Sequence, residues 1–236
     1  MTDSHTTKLR SVFITGTDTA IGKTRVSVAL LRALVANGIN ALGMKPVASG
    51  CIQSNGGLRN DDALALLDSG YRPMPYADIN PWALRDPVAP HLAAALAGST
   101  ISLGLIESAY RTLRANADIV VVEGVGGWAV PLSDSLMQAA MPQALNLPVI
   151  LVVGLRLGCL NHALLSARAI IDDGCELLGW IGNRIDPAMD AVESNLETLD
   201  RLLPAPCLGV LDHDATGIAE TDALASAIRH LGLAPD

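Results

Sequence analysis

Gly16-Thr17-Asp18-Thr19-Ala20-Ile21-Gly22-Lys23-Thr24 is a glycine-bounded loop that closes on a lysine and a hydroxyl, a residue set suited to cradling phosphate. Glycines let backbone N–H groups converge on phosphate oxygens, the Lys23 ammonium supplies a point charge at the β- and γ-phosphates, and the Thr24 hydroxyl can ligate Mg²⁺. Five residues separate Gly16 from Gly22, one more than in the common form of such loops. Three further side chains have the types that phosphate chemistry needs. Glu123 ends Asp118-Ile-Val-Val-Val-Glu123 and is followed by Gly124 and Gly126-Gly127, so a carboxylate and an approachable backbone arrive together, as at the Mg²⁺ partner of phosphate-loop enzymes. Lys45 follows a second apolar run, in Gly43-Met44-Lys45-Pro46. Asp62 opens a helical pattern, where an acid can equally serve as a cap or as a first-turn partner of the helix dipole.

The elements that must position these residues alternate. Strand-like runs at 11–15, 40–44, 118–123, 148–154, 178–183 and 207–211 interleave with helical spacings near 22–37, 60–69, 102–117, 136–145, 159–173, 189–203 and 218–232. Residues 119–122 and 148–153 are continuously apolar, as strands covered by helices on both faces are. The pattern predicts an α/β fold, a doubly wound and mainly parallel sheet of the P-loop NTPase type, with ligands at the carboxyl ends of the strands. A single domain is expected over 11–236, with 1–10 as a disordered lead-in. Pro73, Pro75, Pro81, Pro87 and Pro90 preclude a long helix across 71–90, which reads as a rigid connection or as a wall or lid of the substrate site.

Half of the 236 residues are hydrophobic, yet no uninterrupted apolar run approaches the length that spans a bilayer. A formal charge of −8 and few aromatic residues (three Trp, three Tyr, one Phe) oppose binding to a phosphodiester backbone. Neither nucleic acid nor a membrane is an expected partner. The polar stretch Met1–Arg10 lacks an apolar signal core, and the expected compartment is the cytoplasm. Cys51, Cys159, Cys175 and Cys207 are scattered without metal-ligand spacing and read as reduced, buried small hydrophobes.

Further stretches occur in order from residue 13 to about 210: Lys45-Pro-Val-Ala-Ser-Gly50, Leu58-Arg-Asn60 with Asp62-Ala-Leu64, Val122-Glu-Gly124 with Gly126-Gly-Trp128, Leu157-Gly-Cys159 with Asn161-His-Ala163, and Gly179-Trp180 with Asn183. Together with the longer phosphate loop they make the chain resemble the dethiobiotin synthetase family. The resemblance implies carboxylation of 7,8-diaminopelargonate with CO₂ and ATP-driven closure to dethiobiotin, with ADP and phosphate released, by way of a carbamate and a carbamic–phosphoric anhydride. It implies that Lys23 and Lys45 clamp the γ-phosphate and carbamate, that Ser49 lies near the carbamate, and that Thr24, Asp62 and Glu123 hold Mg²⁺. The nucleotide would lie along Gly16 to Thr24, with Thr19 donating to phosphate, Glu123 close by and Asn183 at the adenine.

Gly158-Cys159-Leu160-Asn161 opens a helix directly after a strand, an anion site by geometry. In the family this helix start holds the substrate carboxylate across a two-fold interface, which implies a homodimer with shared sites. Two positions depart from the family pattern. Ala20 stands where many relatives carry an acid, so the role of that carboxylate is vacant. Residues 207–214 lack the proline-containing turn that flanks the purine, so no base contact is assigned after Pro206. His91 and His162 are left outside the catalytic set, since a lone histidine near a helix start more often packs or caps. The rival readings are a partitioning-type nucleotide switch, whose usual second lysine would fall at Thr17, and another carboxyl-activating ligase on the same fold.

Overall fold

In the computed structural model, which describes residues 10–232, alternate residues of strand β1 (Val12–Gly16) enter opposite layers. Val12 and Ile14 join one buried cluster and Phe13 the other, the period-two consequence of a pleated backbone. The chain continues through α1 (Lys23–Ala36), β2 (Ala41–Met44), β3 (Val47–Ala48), β4 (Ile52–Ser54), β5 (Gly57–Arg59), α2 (Asp61–Ser69), α3 (Tyr76–Ile79), β6 (Trp82–Ala83), α4 (Pro90–Leu96) and α5 (Leu103–Ala115). It then runs through β7 (Ile119–Glu123), α6 (Ala140–Leu145), β8 (Val149–Leu155), α7 (Cys159–Asp172), β9 (Leu177–Arg184), α8 (Val192–Leu202), β10 (Cys207–Leu211), α9 (Ile218–Ala223) and α10 (Ala225–His230).

Six strands form one parallel sheet in the order β10-β9-β8-β1-β7-β2. Every residue of β7 and β8 is buried, because helices cover both faces. Residues of α1 and α10 pack on one side and residues of α5, α7 and α8 on the other. The fold is the doubly wound, parallel α/β arrangement that the alternating pattern predicts. β1 lies between β7 and β8, and the register pairs Ile14 with Glu123 and Thr15 with Leu151. The phosphate loop therefore leaves β1 just beyond the level at which Glu123 ends its strand.

Two helices differ from their expected spans. The pattern at 136–145 yields a helix only from Ala140, because Leu132 N–H donates to Leu136 O at 2.7 Å and folds the preceding residues into a tight turn. Residues 218–232 divide into α9 and α10 at Leu224, whose side chain is wholly buried. Of the expected lead-in, residues 1–9 lie outside the described residues. Arg10 is described, and its guanidinium pairs with both carboxylate oxygens of Glu176. Cys51 and Cys159 are buried and Cys175 and Cys207 half-buried, all four as free thiols.

The proline-rich stretch is more than a simple connection. β6 pairs in parallel with β3, Lys45 N–H donates to Ile79 O at 2.8 Å, and the buried Asn80 amide donates to Lys45 O at 2.6 Å. Tyr76 accepts from Asn60 N–H at 2.9 Å and donates to Asn80 Oδ1 at 3.1 Å. One short segment thus braces the backbone that carries Lys45 and the start of the helix that carries Asp62.

Candidate active site

The loop from Gly16 to Thr24 is held by its neighbours on both sides. Thr17 N–H donates to Val152 O at 3.0 Å, and Thr17 Oγ1 accepts from Gly154 N–H at 3.4 Å. Asp18 Oδ1 accepts from Thr19 N–H at 2.7 Å, while its other oxygen pairs with Arg156 at 2.6 Å. Thr19 and Ala20 are exposed at the loop tip, whereas Ile21 turns its side chain into the core. Ala20 has a φ of +57°, a left-handed conformation that an L residue adopts only where its surroundings impose it. Gly22 caps α1 at φ +86°, and a Cβ there would fall 2.1 Å from Asn183 Nδ2. The position requires glycine both for its conformation and for that close approach.

Behind the loop lies a cleft of about 410 Å³ between the carboxyl ends of β1, β7 and β2. Lys45, Asp62, Glu123, Thr24 and Ser49 line it together with Lys23. Lys45 is 3 % exposed, and its ammonium donates to Glu123 Oε1 at 2.6 Å and to Gly124 O at 3.1 Å, with Asp62 Oδ2 also at 3.1 Å. All three of its N–H donors are placed. Burial disfavours this cation, but the charges of Glu123 and Asp62 and their hydrogen bonds outweigh the penalty and lift its pKa above the ordinary lysine value. Lys45 is therefore a fixed cation rather than a base.

Asp62 shows the reciprocal effect. Burial raises its pKa, but the charge and close approach of Lys45, with the Lys23 charge behind it, bring it below the usual carboxylate range. Asn60 resolves the ambiguity that the sequence leaves at Asp62. The Asn60 side chain caps α2 by accepting from Ala63 N–H at 3.2 Å, which frees Asp62 to reach into the cleft.

Glu123 is completely buried; its Oε1 accepts from Lys45 and from Thr24 Oγ1 at 2.8 Å, and its Oε2 has no partner among the described residues. Lys23 folds back so that its ammonium donates to Asp18 O at 3.0 Å. Burial first, and repulsion from Lys45 second, lower its pKa to about 8. One lysine is thus locked into carboxylates and the other is held destabilised beside the cradle.

Other assigned residues lie elsewhere. Asn183 is 2 % exposed within β9, with Nδ2 donating to Ile21 O at 2.8 Å and Oδ1 accepting from Arg25 at 2.9 Å. Gly158 and Asn161 are exposed and Leu160 half-buried at the start of α7, outside the cleft lining, while Cys159 is buried beneath them. Sequence reasoning missed Arg25, Asn80 and Gln138. Gln138 is wholly buried and pins the glycine turn after β7, accepting from Val125 N–H at 2.7 Å and donating to Gly127 O at 2.5 Å. Such polar residues carry no spacing signal, because their partners sit on other elements of the fold and follow no fixed interval in sequence.

A family model described as "AAA domain" matches residues 10–221. The ATP-dependent dethiobiotin synthetase BioD of Xanthomonas oryzae pv. oryzae is 57 % identical over 198 residues, covering 84 % of this chain and 88 % of that protein. The same-named protein of Xylella fastidiosa is 54 % identical over 210 residues, covering 89 % and 93 %. The chain belongs to the ATP-dependent dethiobiotin synthetase family. It is accordingly an enzyme of a family of ATP-dependent ligases in biotin biosynthesis. Among solved structures, the MinD cell division protein of Aquifex aeolicus superposes with a TM-score of 0.59 over 94 % of this chain and 96 % of that one. At 15 % identity that likeness shows the P-loop NTPase fold alone. No described helix is long and apolar enough to cross a membrane.

Proposed function

We propose that this protein converts 7,8-diaminopelargonate, CO₂ and ATP to dethiobiotin, ADP and phosphate, and that the cleft bounded by Lys23, Lys45, Asp62 and Glu123 is where it does so. One observation carries the reading: a lysine held protonated by two carboxylates faces a phosphate cradle whose own lysine is only a loop away. In the proposed sequence one substrate amine adds to CO₂ and loses a proton to give a carbamate. A carbamate oxygen then attacks the γ-phosphorus and ADP leaves. The second amine finally displaces phosphate and closes the ring. No protein nucleophile is required, so catalysis consists of positioning and charge stabilisation.

Lys45, kept cationic, stabilises charge on the carbamate and on the transferring phosphoryl oxygens, and Ser49 orients the carbamate beside it. Lys23 leaves Asp18 O for the phosphates, where their charge restores its proton affinity. Thr24, Asp62 and Glu123 offer an all-oxygen donor set that suits a hard cation, and the unpartnered buried Oε2 of Glu123 supports Mg²⁺ there. When bound, Mg²⁺ would supply neutralisation of phosphate charge.

The exposed start of α7, with Leu157 95 % exposed beside Gly158 and Asn161, supports a homodimer in which this helix holds the substrate carboxylate for the neighbouring cleft. A cytoplasmic enzyme acting on small molecules accords with this chemistry. Measuring ADP release with diaminopelargonate and bicarbonate each omitted in turn tests the proposal. Release that depends on both is expected, and release indifferent to both would overturn it in favour of a nucleotide switch.

A further inference from the structure

Arg25 lies one residue beyond Thr24 but does not line the cleft. Its Nε donates to Glu220 Oε1 at 2.7 Å, Nη1 to Asn183 Oδ1 at 2.9 Å, and Nη2 to Asp212 O and Ala215 O, both at 2.7 Å. These partners belong to three separate segments: β9, the loop after β10, and the first turn of α9. Glu220 is 9 % and Asn183 2 % exposed, so the contacts to these two side chains are shielded from competing water, whereas the bond to Asp212 O is exposed. Asn183 in turn donates to Ile21 O and packs against Gly22. A continuous hydrogen-bonded path therefore runs from the phosphate loop through Asn183 and Arg25 to residues 212–220. Only a planar fork with several donors can reach all these acceptors at once.

The path also has a direction. Lys45, Asp62 and Glu123 lie toward β7 and β2, whereas Asn183 and residues 212–217 lie over β9 and β10, on the other side of β1 in the sheet. A triphosphate whose reacting end faces Lys45 directs its nucleoside toward β9 and β10. We propose that Arg25 is a positioning residue for the nucleoside: it fastens Asn183 and residues 212–217 into one wall against the phosphate loop, and so governs affinity for the nucleoside rather than for the phosphates. The inference rests on the nucleotide-binding reading of the loop and not on turnover of diaminopelargonate.

The test compares binding of ATP and of inorganic tripolyphosphate, each with Mg²⁺, by calorimetry on Arg25→Ala, Arg25→Lys and Glu220→Gln. Removing a fork of charge-assisted bonds should weaken ATP binding about tenfold or more in Arg25→Ala, with tripolyphosphate changed by less than about twofold. KM for ATP should rise while kcat changes far less, and Arg25→Lys should recover only part of the loss. Glu220→Gln leaves the guanidinium in place with a neutral partner, and should weaken ATP by about threefold with tripolyphosphate again unaffected. It carries the comparison if Arg25→Ala does not fold. Equal weakening of both ligands, or no weakening of ATP in either variant, would overturn the proposal. A wild-type protein that binds neither ligand would instead remove the nucleotide reading itself.

Discussion

Lys45 and Glu123, 78 residues apart in sequence, meet at 2.6 Å in a setting where the side chains are 4 % and 0 % exposed. Asp62 reaches the same ammonium from a third element at 3.1 Å. The geometry makes each charge depend on the others, because an ion left alone at that depth has no water to replace its partner.

Replacing only Lys45, as Lys45→Met, should lower unfolding free energy by about 3 kcal/mol or more, since Glu123 is left buried and unpaired. Adding Glu123→Gln should recover much of that loss in urea titrations, although turnover stays about a hundredfold down in both variants. Lys23→Ala should cost a similar factor in turnover with little change in stability, because among the described residues the Lys23 ammonium donates only to a backbone carbonyl. Equal stability losses in Lys45→Met and the double variant would show that the two charges are not coupled.

Asp62→Asn should leave α2 intact, because Asn60 supplies the cap. Loss of its charge should raise the Mg²⁺ concentration needed for half-maximal activity, and Glu123→Gln should do the same. A magnesium titration alongside thermal melts reads both quantities. An unchanged Mg²⁺ requirement in Asp62→Asn would confine that residue to its pairing with Lys45.

The Lys23 pKa of about 8 has a definite sign in two measurements. Its folded value lies below the unfolded one of 10.5, so the unfolded chain binds more protons between those limits and this group alone makes stability rise with pH across that window. Phosphate bound beside Lys23 should raise its pKa, so ATP binding should take up a proton above pH ~8 and weaken as pH climbs further. Calorimetry in two buffers of different ionisation enthalpy, without Mg²⁺, reads the uptake directly. Buffer-independent heats at pH ~9 would contradict it.

If the start of α7 serves the neighbouring subunit, a Lys23→Ala protein mixed with a Leu160→Pro protein should partly recover activity on subunit exchange. One of the two sites in the mixed dimer then combines an intact phosphate loop with an intact helix start. Proline removes a backbone N–H that an anion could use without introducing charge. Each variant must first sediment as a dimer. Absence of recovery between two proven dimers would place the complete site within one subunit.

Much of this was legible in the residues themselves. The phosphate loop, the alternation of strands and helices, and the parallel sheet follow from local signals: glycines at a turn, apolar runs that need cover on both faces, and helical spacing between them. Lys45 and Glu123 were readable as site candidates because each ends a strand, and a parallel sheet gathers its carboxyl ends on one side. The chain alone could not decide whether Asp62 caps its helix, since an acid in a first turn satisfies either role; the fold settled it by giving the cap to Asn60. The proline-rich stretch read as a connection or lid because proline announces only what the backbone cannot do. Its use as a brace for Lys45 depends on Ile79 and Asn80 meeting a distant strand. Arg25 belongs to none of the motifs or spacings that mark the other site residues. Its four partners are carbonyls, an amide and a carboxylate from segments brought over the phosphate loop only when β9, β10 and α9 pack together. Local spacing encodes what neighbours in sequence do to one another, whereas long-range hydrogen bonds exist only after the hydrophobic layers have closed.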